Sequence, residues 1–264
     1  LKNYDKAAFM TAAKLGSSVG VSESTVVRFA IELGFSGYPS LQKSLQELIK
    51  NKLTTVQRLD LSNDYICNGY TLKGVLKADM ENIRATMEKI NYSTFEDVVN
   101  NIFEAKRIYI VGLRSSMALA EFLGFYLNVI LQNVKTVGYG ISDIFEEMIN
   151  VGEGDLVIGI GFPRYANRTI DVLSFAQDRG ATVVALTDSI VSPLAQRADY
   201  ALIAQSNMAS FVDSLVAPLS VINALIIAVG LRQKESVSTT FNSLEEIWKE
   251  YNVYSYNHNN DDEF

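Results

Sequence analysis

The chain has 264 residues, 48% of them hydrophobic and 20% charged, with a mean hydropathy of +0.10; this bounds it to one or two domains and excludes wholesale disorder. Its net charge of −7 is unevenly spread, with eight Lys/Arg against five Asp/Glu (+3) in residues 1–60 and −10 in the remainder. That is a mildly basic head on an acidic body, which suits local contact with a phosphate backbone. One cysteine, Cys67, excludes an internal disulfide and a multi-cysteine metal site, and one histidine, His258 in the polar tail, excludes chemistry that needs a buried imidazole base.

Leu1–Gly20 carries lysines among alanines and has no long apolar core, unlike a secretory leader. The first residue is Leu1, so further N-terminal sequence is expected. The pattern predicts a helix over Ala7–Val19 with Phe9, Ala13 and Leu15 inward, and a break at Gly20-Val21. Ser22 then caps a second helix with Glu23 in its first turn, an apolar stripe of Val26, Val27, Ala30, Ile31 and Leu33, and Gly34 as its stop. Gly37-Tyr38-Pro39 forms a turn, and Ser40 caps a helix over Leu41–Lys52. Leu53–Thr71 is irregular and reads as a link, followed by an amphipathic helix over Leu72–Ile90.

From Asn91 the pattern changes. Ser93 or Thr94 caps a helix over Phe95–Ala105, and short apolar strands (Arg107–Val111, Val134–Val137, Leu156–Ile160, Thr182–Leu186, Asp199–Ile203) then alternate with helices (Ser116–Gln132, Asp143–Ile149, Asn167–Arg179, Phe211–Leu231). Repeated β-α units at this spacing mean a doubly wound parallel sheet covered on both faces. Leu215–Leu231 contains Pro218, Ser220 and Asn223 and is marginal for a membrane span of roughly 20 residues. It reads as a core or interface helix, so no membrane partner is expected.

Two places carry chemistry. Met10–Gly34 is a helix, a short turn and a second helix whose start presents Ser22, Glu23, Ser24 and Thr25, with Arg28 one turn on. In a helix-turn-helix that start enters the major groove, where an arginine forks onto guanine or grips phosphate. Spacing alone is met as well by a helical hairpin packed on another subunit. Further on, Ile108–Ser116 sets a glycine and the hydroxyls of Ser115 and Ser116 between a strand end and a helix start, where backbone N–H groups bind anions. A plain βα turn favours the same residues.

The string Met10–Leu15, Val21–Phe29 and Leu33–Pro39 closely resembles the head of the RpiR-type sugar-responsive regulators, and about Asn91–Trp248 resembles the sugar isomerase (SIS) domain that follows it in that family. The resemblance implies an all-α helix-turn-helix domain over residues 1–70 and a helical linker over 71–94. A flavodoxin-like αβα sandwich over 95–250 and a polar tail over 251–264 complete the division. It implies a cytoplasmic homodimer or homotetramer that contacts operator DNA through Ser22, Glu23, Ser24, Thr25, Arg28 and Tyr38. It further implies a phosphorylated sugar or amino sugar as effector and no cofactor. The family head has another helix before Met10, expected here to be cut by the start at Leu1.

One departure stands out. The usual serine-rich second phosphate loop is replaced by Gly161–Thr169 (Gly-Phe-Pro-Arg-Tyr-Ala-Asn-Arg-Thr), resembling a subgroup with Phe-Pro-Arg-Tyr in that place. Arg164, Arg168 and Thr169 join Ser115 and Ser116 as ligand candidates, although the arginines are equally able to pair with acids such as Asp171. The competing reading is an aldose–ketose phosphate isomerase, for which Glu146 or Glu147 has to serve as base.

Overall fold

Side-chain caps set the helix boundaries at the start of the chain. A computed structural model describes residues 4–49, 54–62, 71–138, 143–208 and 210–255. The stretch expected as one helix is two, α1 (Tyr4–Ala7) and α2 (Ala12–Val19), because the Thr11 hydroxyl accepts the N–H of Lys14 and restarts the helix. Gly20, left-handed at φ 74°, ends α2, and Ser22 caps α3 (Glu23–Glu32). Gly16 is where the two helices come closest: a Cβ there would lie 2.7 Å from the carbonyl oxygen of Val21. α4 (Tyr38–Ile49) starts earlier than Ser40 and closes a small core of Ala12, Val26, Ala30, Tyr38 and Leu41.

The expected irregular link contains a helix, α5 (Thr55–Ser62), and Cys67 and His258 lie outside the described residues. α6 (Thr71–Lys89) follows, then α7 (Tyr92–Glu104), capped by Asn91 rather than by Ser93 or Thr94. α6 is amphipathic with its faces reversed. Its buried residues are Asn82 and Thr86, whereas Leu72, Leu76, Met80, Ile83 and Met87, spaced four, four, three and four apart, are exposed.

The rest is built on β1 (Ile108–Gly112), β2 (Val134–Val137), β3 (Leu156–Ile160), β4 (Thr182–Thr187) and β5 (Tyr200–Ile203). All pairings are parallel, in the order β2-β1-β3-β4-β5, with Gly112 beside Ile160 and Leu156 beside Thr182. The connecting helices are α8 (Met117–Leu131), α9 (Ile144–Glu147) and α10 (Asn167–Asp178); α11 (Val216–Arg232) and α12 (Lys234–Glu250) follow β5.

Alternation along the strands divides the core. Ile108, Ile110, Ile158, Val184 and Leu202 face α7, α8 and α11, while Tyr109, Val111, Val157, Val183 and Ala185 face α9 and α10. Both faces are covered, which is why the strands read as continuous apolar runs. α11 is a core helix, with Val221, Ile222, Leu225 and Val229 buried and Ile227 and Leu231 left outside. Among the described residues no single helix is long and apolar enough to cross a membrane.

Candidate DNA-binding face and ligand cavity

At the start of α3 the Ser22 hydroxyl accepts the N–H of Thr25 and lies 2.8 Å from the hydroxyls of both Ser24 and Thr25. Ser22, Glu23, Ser24, Thr25 and Arg28 are all exposed. The helix N-terminus is thus capped while Ser22–Thr25 and Arg28 face solvent, the arrangement a recognition helix needs. Tyr38 does not belong to that face. It is 3% exposed, and its hydroxyl donates to the carbonyl oxygen of Met10 at 2.7 Å. The ring sits in the core of the head because α4 begins at Tyr38, which turns the side chain back towards α2.

The second site lies at the carboxyl ends of β1 and β3. The strand order reverses between these two, so their outgoing loops run to opposite faces of the sheet and leave a crevice, the position where ligands enter open α/β sheets. A cavity of about 300 Å³ occupies it, lined from β1 by Leu113–Ser116, from β3 by Ile160–Asn167 and Thr169, and from the loop before α11 by Asp213. Gly112 lets the β1 loop fold back tightly: a Cβ there would stand 2.5 Å from the carbonyl oxygen of Ser116. Ser115, Ser116, Arg164 and Thr169 all line the cavity, as the sequence suggested, with Ser116 and Thr169 buried.

Arg168 is not among the lining residues. Its guanidinium pairs with Asp143 at 3.1 Å and lies over the Phe145 ring. The two glutamates proposed as a base are also elsewhere: Glu146 completes a capping box with Asp143, and Glu147 pairs with Lys135 at 3.5 Å. Among the described lining residues Asp213 alone carries a carboxylate, and the buried Arg58 of α5 holds it at 3.0 Å.

Sequence reasoning did not single out Arg114, Arg58 or Thr55. Arg114 and Arg164 both line the cavity, both are exposed, and both have left-handed backbone, at φ 58° and 65°. For a side chain with a Cβ that conformation costs about 1–2 kcal/mol, and glycine is the residue that adopts it freely. An arginine, unlike a glycine, does not announce a left-handed backbone, so this signal was invisible in the sequence. Arg164 donates from Nη1 to the hydroxyl of Thr55 in α5 at 2.6 Å. With Arg58–Asp213, this makes two contacts from the cavity lining to the helix that follows the head.

Comparison with known proteins gives two family matches along the chain. Residues 1–52 match the helix-turn-helix domain of the rpiR family, and residues 101–228 match the SIS domain. The sugar isomerase domain of an RpiR transcription factor from Sphaerobacter thermophilus is 30% identical, covering 67% of this chain and 99% of that one with a TM-score of 0.64. The chain belongs to the RpiR family of transcriptional regulators. This RpiR regulator is also similar to the HTH-type transcriptional regulator HexR of Escherichia coli, 26% identical over 95% of this chain and 86% of HexR. Its fold is shared by the Vibrio vulnificus NanR protein, solved with ManNAc-6P, at 19% identity and a TM-score of 0.58 over 95% of this chain and 90% of that one.

The buried Tyr38 of this RpiR regulator makes a pH prediction. Burial raises its phenol above the ordinary value of 10.0, so the folded head holds the proton more tightly than the unfolded chain does. Its contribution is complete below the unfolded value and is lost as pH climbs through the raised one. Tyr38→Phe should therefore cost about 1 kcal/mol at neutral pH, through the lost bond to Met10. It should also flatten the fall of melting temperature between neutral and strongly alkaline pH. Circular dichroism melts across that range check both; an unaltered alkaline slope would show that Tyr38 does not titrate with unfolding.

Proposed function

We propose that the chain binds a double-stranded DNA operator through the start of α3, with an affinity set by a phosphorylated sugar or amino sugar held in the cavity. The observation that carries this reading is the double link from the cavity lining to α5, Arg164 to Thr55 and Asp213 to Arg58. A ligand that draws Arg164 towards itself competes with Thr55 for the same guanidinium. Occupancy and the seating of α5 are then coupled, which is the differential interaction an effector requires. NanR, solved with ManNAc-6P, is a neighbour of the same fold and supports a phosphorylated amino sugar as one ligand class. An isomerase reading is less well supported, because moving a proton beside a carbonyl needs a free base in reach and the lining carboxylate is engaged by Arg58.

Twofold pairing of heads suits a near-palindromic operator with half-sites one helical turn or a multiple apart. The apolar stripe of α6 supports assembly as a homodimer or homotetramer. Five large side chains on one exposed face form a seam at near-heptad spacing, flanked by charges of both signs.

Three outcomes are expected. Arg28→Ala should weaken operator binding in an anisotropy titration by about tenfold or more, with the melting temperature unchanged because Arg28 is exposed; unaltered affinity would remove α3 from the groove. A thermal-shift screen of phosphorylated sugars should find a stabilising ligand whose effect Arg164→Ala abolishes, and an undiminished shift would take Arg164 out of the site. Met80→Glu should lower the mass measured by light scattering, whereas an unchanged mass would mean that α6 is not the seam.

A further inference from the structure

The two positive-φ arginines differ from the other left-handed residues of the chain in facing one cavity from opposite loops. Arg114 follows β1 and Arg164 follows β3, so they flank the crevice at the strand-order reversal. Gln132 and Asn252, the other non-glycine residues with positive φ, end helices and line no part of this cavity. The Arg114 carbonyl oxygen accepts the N–H of Met117, but its side chain makes no hydrogen bond and no ion pair among the described residues and is exposed. Nothing among the described residues accounts for a charged side chain at a position where the backbone favours glycine.

Charge bookkeeping in the cavity points the same way. Asp213 is neutralised by Arg58, which leaves the Arg114 and Arg164 guanidinium groups as the uncompensated charges of the lining. Ser115, Ser116 and Thr169 supply hydroxyl donors between them. We propose that Arg114 is a ligand-binding residue and forms with Arg164 a two-arginine clamp that grips a phosphate monoester dianion across the crevice. Two planar forks on opposite sides of a tetrahedral dianion satisfy its oxygens with charge-assisted bonds, so recognition of the ligand rests on its charge more than on its sugar ring. Both arginines line the crevice from left-handed turns, one in each loop. This assignment rests on the cavity being the effector site, as proposed above, and adds a residue and a binding mode to it.

Arg114→Gly separates a binding role from a structural one, because glycine adopts the same turn without strain. Inorganic phosphate and glucose 6-phosphate serve as probes on the full chain, with glucose as the neutral control, read by calorimetric titration and by melting temperature. The expected result is binding of both phosphates and not of glucose by the native chain. Arg114→Gly should lose about tenfold or more in phosphate affinity, while its ligand-free melting temperature is equal to or above that of the native chain. Arg114→Lys, which restores charge without the fork, should recover part of that loss. If Arg114→Gly binds phosphate as tightly as the native chain does, the clamp is overturned while the cavity stands as the effector site. If Arg114→Gly melts well below the native chain and keeps its affinity, Arg114 is structural and the assignment is wrong. If the native chain binds neither phosphate, the clamp and the effector reading fall together.

Discussion

The SIS half of this protein is organised by one topological constraint, the position of β1 between β2 and β3. A parallel sheet grown outward in both directions from a central strand sends its first crossover to one face and its next to the other. The loops leaving β1 and β3 therefore part company, and the gap between them cannot be closed by main chain. Ser115, Ser116, Arg164 and Thr169 lie in the cavity because of where these two strands end. The apolar strands and the two packed faces beneath serve mainly to hold those ends still.

The head is tied to that crevice by polar contacts. α5 places Arg58, 2% exposed, against Asp213 at 3.0 Å, and a buried pair of this kind is costly to break because the partner left behind keeps its charge out of water. α6 is seated the same way. The Asn82 amide donates to the carbonyl oxygen of Asn207 and accepts the N–H of the same residue, Thr86 accepts the N–H of Gln205, and Ser214 donates to Asp79. The loop between β5 and α11, which carries Asp213, is thus pinned by the linker helix as much as by its own domain. Direct apolar contact between head and SIS domain is slight by comparison, Met208 packing against Ala8 and Ile49.

Much of this was legible in the residues. Ser22 and Gly20 mark the helix-turn-helix because capping and left-handed turns have strong residue preferences, and the five strands stand out because burial on both faces leaves them uniformly apolar. Other features escaped for definite reasons. Tyr38 looked available at a turn, but helix α4 starts on it and carries the ring inward. Arg168 looked like Arg164 in sequence, yet it is the second residue of α10 and meets Asp143, a partner 25 residues away that no local pattern reveals. The amphipathic period of α6 was clear, but period alone does not say which face turns inward. Here hydrogen bonds from Asn82 and Thr86 decided it.

The reversed polarity of α6 ranks the joints of the molecule by strength. Asn82 and Thr86 can exchange their protein partners for water at modest net cost, since each such bond contributes only about 1 kcal/mol. Parting a seam of Leu72, Leu76, Met80, Ile83 and Met87 would instead expose grease, at about 25 cal/mol for every Å² uncovered. If those side chains are covered by a second copy, the pair of α6 rods forms the durable spine of the assembly. Each SIS domain then hangs from it by a wettable latch that opens without the two copies coming apart.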